Sequence, residues 1–94
     1  MLRVPDQGIP GQEIEAHVVV FNYLGAPWLG EVTLSVSGGH SAIAHDIQVG
    51  AYDRTDVRLT VELPEWAGSH VLTAKILGAN DRPVFSSRLV TIER

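Results

Sequence analysis

The clearest pattern in the chain is an alternation of apolar and polar side chains between Gln12 and Tyr23. Ile14, Ala16, Val18 and Val20 fall on one side of an extended backbone, with Glu13, Glu15 and His17 on the other. A period of two marks a strand with one buried face. Pro10-Gly11 before it and Leu24 to Gly30 after it supply turn chemistry and bound the strand. The period recurs downstream. Over Glu31 to Ser37, Val32, Leu34 and Val36 alternate with Glu31, Thr33 and Ser35, and Gly38-Gly39 ends that run. Ile43 to Val49 is a weaker strand whose inward pair is Ile47 and Val49, followed by a turn at Gly50 to Asp53. Thr55 to Leu63 then sets Val57, Leu59, Val61 and Leu63 against Asp56, Arg58, Thr60 and Glu62. Pro64 to Ser69 is a loop, and His70 to Leu77 puts Leu72, Ala74 and Ile76 on one face. Gly78 to Pro83 reads as a hairpin loop before a closing strand, Val84 to Glu93. There Val90 and Ile92 set one phase and Phe85 and Leu89 the other, which predicts a bulge. Met1 to Val4 adds a short edge strand, and Pro5 to Gly11, with two prolines and two glycines, a loop.

No segment keeps helical periodicity, and no internal repeat is evident. Seven strands at regular spacing predict an all-β fold, a seven-stranded antiparallel immunoglobulin-like (fibronectin type III-like) β-sandwich with Greek-key connections. Its 94 residues suit one domain, 1–94, with one modest core. An antibody-type signature is missing, because there are no cysteines and no tryptophan in the third strand. In such a sandwich the loops after the second, fourth and sixth strands share one end, and those after the first, third and fifth share the other. Asn22 is expected to turn inward, where its amide can fasten the loop that follows by hydrogen bonds to backbone.

Composition narrows the function classes. The 45% hydrophobic and 19% charged content is ordinary for a globular domain. Seven basic against eleven acidic residues give a net charge of −4, with the basic residues dispersed, so nucleic acid is not an expected partner. Without cysteine there are no disulfides and no thiolate zinc sites. No apolar run approaches the roughly 20 residues that span a bilayer, so membrane insertion is not expected. Met1-Leu2-Arg3-Val4-Pro5 leads into turn-like sequence and shows no signal peptide.

Candidate chemistry is sparse. His17, His40, His45 and His70 lack the close spacing of a preformed metal site, and no cofactor motif is present. His70 is a candidate for the hydrogen bond that related folds make with a corner tyrosine. No nucleophile elbow occurs, and Gly38-Gly39-His40-Ser41 lacks the strand-to-helix turn that would activate a serine. Glu13 and Glu15 lie on a flat outer face, and Glu15 and His17 should sit across from Arg58 and Thr60 as ordinary cross-strand pairs. The isolated domain is not expected to be an enzyme. The aromatic residues are the better ligand candidates, because pyranose C–H faces pack on π-systems. Trp28, Tyr52 and Tyr23 lie at one end of the predicted sandwich, and Trp66 at the other. The competing expectation is that each ring folds over an end of the core. Val19 and Phe21 on the second strand, with Val71 and Leu77 on the sixth, should face outward although they are apolar. Such a surface suits contact with a neighbouring domain of the same chain, another protein or a homodimer partner. A register bulge near Val18-Val19-Val20 is the alternative cause.

The run from Gly11 through Ile14, Val18 and Val20 to Asn22 resembles the second strand of many bacterial immunoglobulin-like accessory modules, G-x-x-(φ)-x-x-x-V-x-V-x-N. Leu63-Pro64-Glu65-Trp66, His70-Val71-Leu72-Thr73-Ala74 and Ser87-Arg88-Leu89-Val90-Thr91-Ile92 resemble the sandwich domain of family-2 glycoside hydrolases. His70 stands where that domain often has tyrosine, and Ser86-Ser87 where it has Phe-Gly. Val20-Phe21-Asn22-Tyr23-Leu24 is similar to macroglobulin domains. These resemblances imply a non-catalytic sandwich inside a larger extracellular, periplasmic or cell-surface protein such as a carbohydrate-active enzyme. They leave a small carbohydrate- or protein-binding module as the alternative.

Overall fold

In the computed structural model, which describes residues 1–37, 39–78 and 82–93, the alternating segments become strands of two sheets. β1 (Leu2–Arg3), β3 (Glu13–Phe21) and β6 (Arg54–Glu62) form the first, in the order β1-β3-β6. β2 (Gln7–Gly8), β4 (Trp28–Val36), β5 (Ser41–Val49), β7 (Gly68–Gly78) and β8 (Val84–Ile92) form the second, in the order β2-β8-β7-β4-β5. Among the described residues the result is an all-β, immunoglobulin-like sandwich of eight strands split three and five.

The count of seven is therefore corrected by β2, which lies inside the expected Pro5–Gly11 loop. Pro5 has no N–H to continue the β1 ladder, and the chain leaves the first sheet there. It rejoins the second sheet at once, where Thr91 N–H donates to Asp6 C=O at 2.9 Å and Glu93 N–H to Gly8 C=O at 3.0 Å. This pairing is parallel, so the sandwich is not wholly antiparallel. A strand of two residues carries no period to read.

The core follows the alternation. Ile14, Ala16, Val18 and Val20 are buried between the sheets, with Val32, Leu34, Val36, Val57, Leu59, Val61, Leu63, Leu72, Ala74, Val90 and Ile92. Ile47 and Ile76 are half-buried and pack against that core. β3 is the middle strand of its sheet, and its register with β6 runs unbroken from Glu13↔Glu62 to Phe21↔Arg54. No bulge reverses Val18–Val20, so Val19 and Phe21 do face outward. The bulge expected in the last strand is also absent, since β7 and β8 pair continuously from Gly68↔Ile92 to Ile76↔Val84. Phe85 and Leu89 are outer-face residues of a regular strand.

The irregularity lies between β4 and β5, where Gly30 pairs with Ile47 but Val32 with Ala44. Glu31 thus opposes both His45 and Asp46, and Asp46 takes a left-handed backbone, φ 55°. Aspartate is among the few residues that tolerate that conformation. β4 also starts at Trp28, directly after Pro27, so the loop before it is shorter than the expected Leu24–Gly30.

The loops cluster at the two ends as the expected strand order requires. Asn22 N–H donates to Asp53 C=O at 2.8 Å and Tyr52 N–H to Leu24 C=O at 3.1 Å, tying the β3–β4 and β5–β6 connections together. Gly11 N–H reaches Pro64 C=O at 3.3 Å at the other end. Gly38 of the Gly38-Gly39 break, and Ala79, Asn80 and Asp81 of the Gly78–Pro83 hairpin loop, lie outside the described residues. No helix of the described residues is long and apolar enough to cross a membrane.

Candidate functional site

Asn22 builds the end of the sandwich where the candidate aromatics lie. It is the buried polar side chain there, 3% exposed. Its Nδ2 donates toward three carbonyls, those of Ala26 (2.9 Å), Gly50 (3.0 Å) and Val49 (3.2 Å), and its Oδ1 accepts from Leu24 N–H (3.0 Å). Two N–H groups serve three acceptors, so one bond is shared. The amide thereby fastens two loops that come from opposite sheets, as its sequence position leads one to expect.

On that platform Tyr23 and Tyr52 are 79% and 78% exposed and line one shallow groove with Phe21, Asn22, Asp53 and Arg54. Tyr23 stacks on Phe21, with ring centroids 6.0 Å apart and planes 7° from parallel. Tyr52 sits in a left-handed backbone, φ 55°, with its hydroxyl end over Gly25. Trp28 behaves differently. It is half-buried at the start of β4, packs on the core, and lies so close over Gly30 that a Cβ there would meet its ring at 2.4 Å. That Cβ would also meet Leu77 C=O at 2.5 Å, which is why glycine occupies the position. Trp28 is thus a ring folded over the core end. Tyr23 is the member that touches both neighbourhoods, lining the tyrosine groove and an apolar cleft with Trp28, Val20 and Ile76.

The outward apolar residues divide between two faces. Val19 and Phe21 lie outside the three-stranded sheet, opposite Asp56 and Arg54, and line a cleft of about 320 Å³ with Met1, Arg3 and Thr55. The Met1 ammonium donates to Val19 C=O at 2.9 Å. Burial, and then the nearby Arg88 charge, hold that amine below the usual α-amino range. Val71 and Leu77 lie outside the five-stranded sheet, opposite Leu89 and Glu31. One flat partner cannot cover all four.

The histidines make local contacts. His17 Nε2 is 3.0 Å from Glu15 and its Nδ1 3.2 Å from Asp56, so its contacts go to carboxylates beside its Arg58 register partner. His45 Nδ1 lies 3.2 Å from Glu31 at the bulge, and His40 Nε2 3.6 Å from Glu62. His70 Nε2 donates to Trp66 C=O at 2.9 Å, the corner contact expected of it. Among the described residues no group of three or more His, Cys, Asp or Glu side chains could hold a metal.

Sandwich and surface together define a class by its fold: a small, all-β, immunoglobulin-like sandwich domain. No protein-family model and no curated protein matches the chain. Solved structures do. The whole chain superposes on part of red sea bream transglutaminase with a TM-score of 0.85 at 21% identity, spanning 14% of that chain. It resembles the CARDB domain of the PF1109 protein from Pyrococcus furiosus, solved in complex with di-metal ions, with a TM-score of 0.73 at 15% identity. That match covers 97% of this chain and 87% of that one. An alkylpurine DNA glycosylase of Pseudomonas fluorescens, bound to DNA containing an abasic site analog, gives 0.67 at 15% identity over 99% of this chain and 30% of its own. At such identities the likeness is one of fold.

Proposed function

We propose that the protein is a spacer or packing module of a larger secreted or surface protein, most concretely a carbohydrate-active enzyme, docked to a neighbouring domain through the outside of β3. One observation carries this. The unbroken β3–β6 register makes Val19 and Phe21 outward residues by geometry, where the fold itself does not need apolar side chains. Tyr23 extends the patch by stacking on Phe21. The transglutaminase and glycosylase matches support an embedded role, since in each the fold is a minor part of a long chain. β5 is hydrogen-bonded to β4 in the five-stranded sheet and not to β6, which supports the fibronectin type III-like form of the sandwich.

The test is to express the protein alone and together with the domains encoded beside it, each with Phe21→Asp. The substitution should leave the melting temperature of the isolated module almost unchanged, because Phe21 is exposed there. It should lower the melting temperature of the module within the longer product. An equal effect in both would count against docking through this face.

Carbohydrate binding at the tyrosine end is the second reading, and Tyr52 favours it. A non-glycine residue held at positive φ costs of order 1–3 kcal/mol, persists where the surrounding structure over-determines it, and is concentrated at functional sites. Here that residue is an exposed aromatic ring beside another. Calorimetry against a glycan panel should show binding that Tyr52→Ala and Tyr23→Ala each weaken. Unchanged affinity in both variants, or no binding to any glycan, removes this reading.

A further inference from the structure

β2 pairs only with Thr91 and Ile92 at the end of β8. Before Gln7 the chain turns at Pro5 toward the other sheet. Among the described residues, Val84–Leu89 therefore has β7 on one side and no strand on the other. The direction of its free backbone groups follows from the pairs around it. Val71, opposite Leu89, turns both its N–H and its C=O to Ser37 on the far side of β7. Thr91 and Glu93 turn their N–H groups to the β2 side. Because residues of an antiparallel strand alternate sides, Leu89, Ser87 and Phe85 all present N–H and C=O to the open side. Ser87 C=O already accepts from the guanidinium of Arg88 at 2.8 Å, which leaves its second lone pair available.

This edge lacks the devices that usually blunt one. Val84–Leu89 contains no proline, no glycine and no bulge, and its one charge is Arg88. Phe85 and Leu89 are 61% and 65% exposed. The opposite edge of the same sheet, β5, is interrupted by the bulge at His45 and Asp46.

We propose that the β8 edge pairs with the β8 edge of a second copy of this chain, antiparallel about a two-fold axis at Ser87. Self-complementarity singles out this occupant. In that register Phe85 faces Leu89 of the other copy, Ser86 faces Arg88, and Ser87 faces Ser87. The three residues with outward backbone groups all make hydrogen-bonded pairs, and no like charges meet. Shifting the axis to Arg88 would set two guanidinium groups against each other. Shifting it to Ser86 would bring Pro83, which has no N–H, opposite Leu89. β2 and Pro83 end the ladder on both sides, so it is five residues long and joins two five-stranded sheets into one. An interface of this size falls at the small end of specific contacts, so the dimer is weak and concentration-dependent.

Sedimentation of the protein over a concentration series up to about 1 mM, the range of weak self-association, is the experiment. The mass should rise toward twice that of the monomer. Ser87→Lys and Ser87→Glu alter an exposed side chain whose backbone does not bond to β7, and circular dichroism should show both folded. Each variant alone should associate several-fold more weakly, by setting like charges face to face. An equimolar mixture of the two should recover association, because lysine then meets glutamate across the axis. A wild-type protein that stays monomeric through that range would overturn the proposal. So would a dimer unaffected by either variant, or two weakened variants that fail to recover on mixing.

Discussion

Asn22 shows how one side chain holds an end of the sandwich. Its four hydrogen bonds link the β3–β4 loop to the β5–β6 turn, and all its partners are backbone groups, of which Gly50 C=O also accepts from Asp53 N–H. Asn22→Ala should cost about 1–3 kcal/mol in chemical denaturation, the range for removing one partner of buried hydrogen bonds. Asn22→Asp should cost more at pH 7, because a carboxylate would face three carbonyl oxygens. Burial against those dipoles raises the folded-state pKa above the unfolded value of about 3.9. The unfolded chain then loses the proton first, so stability falls as pH rises through the unfolded value. The variant should be closer to wild type at pH 4 than at pH 7, and a pH-independent loss would count against the assigned geometry. This residue was legible in sequence because a lone asparagine continues the inward phase of Val18 and Val20. Trp28 was not: only the Gly30 backbone, which leaves room for its ring, decides that it folds onto the core.

At the level of elements, alternation reveals strands but not where they pair. β3, β4 and β6 were legible because each buries three or four alternate side chains, and β7 because buried Leu72 and Ala74 alternate with the half-buried Ile76 in the same phase. β2 escaped because its existence depends on Pro5 and on the β8 edge, not on its own residues. The bulge expected in β8, and the one weighed as the alternative at Val18–Val20, came from apolar residues on both faces of regular strands. The real one, at His45-Asp46, adds a residue in a strand whose alternation is already weak. Asp46 φ is the position to probe. Asp46→Gly should leave stability unchanged or raise it slightly, since glycine adopts this backbone freely. Asp46→Val should destabilise by about 1–2 kcal/mol, because a branched Cβ clashes in the left-handed region. Equal denaturation midpoints for the two variants would contradict a left-handed residue there.

For the whole molecule, the sandwich has one apolar interior and several surfaces with unequal claims. Sequence distinguished inner from outer faces well. It could not tell that Val19 and Phe21 lie on the opposite side from Val71 and Leu77, because sheet membership depends on long-range pairing. It placed Tyr23 and Tyr52 at one end of the sandwich but could not show that they line one groove, which forms where Asn22 binds two loops from different sheets. The proposed docking through β3 follows from that partition: Phe21 and Tyr23 stack outward beside Arg54, on a sheet whose other face is fully committed to the core. Hydrogen–deuterium exchange tests this most directly, by comparing the isolated module with the same module inside the longer protein proposed to contain it. The account expects added protection at 19–23 and 54–56 in the longer protein, with the five-stranded sheet unchanged. Identical exchange at those positions in both would contradict it.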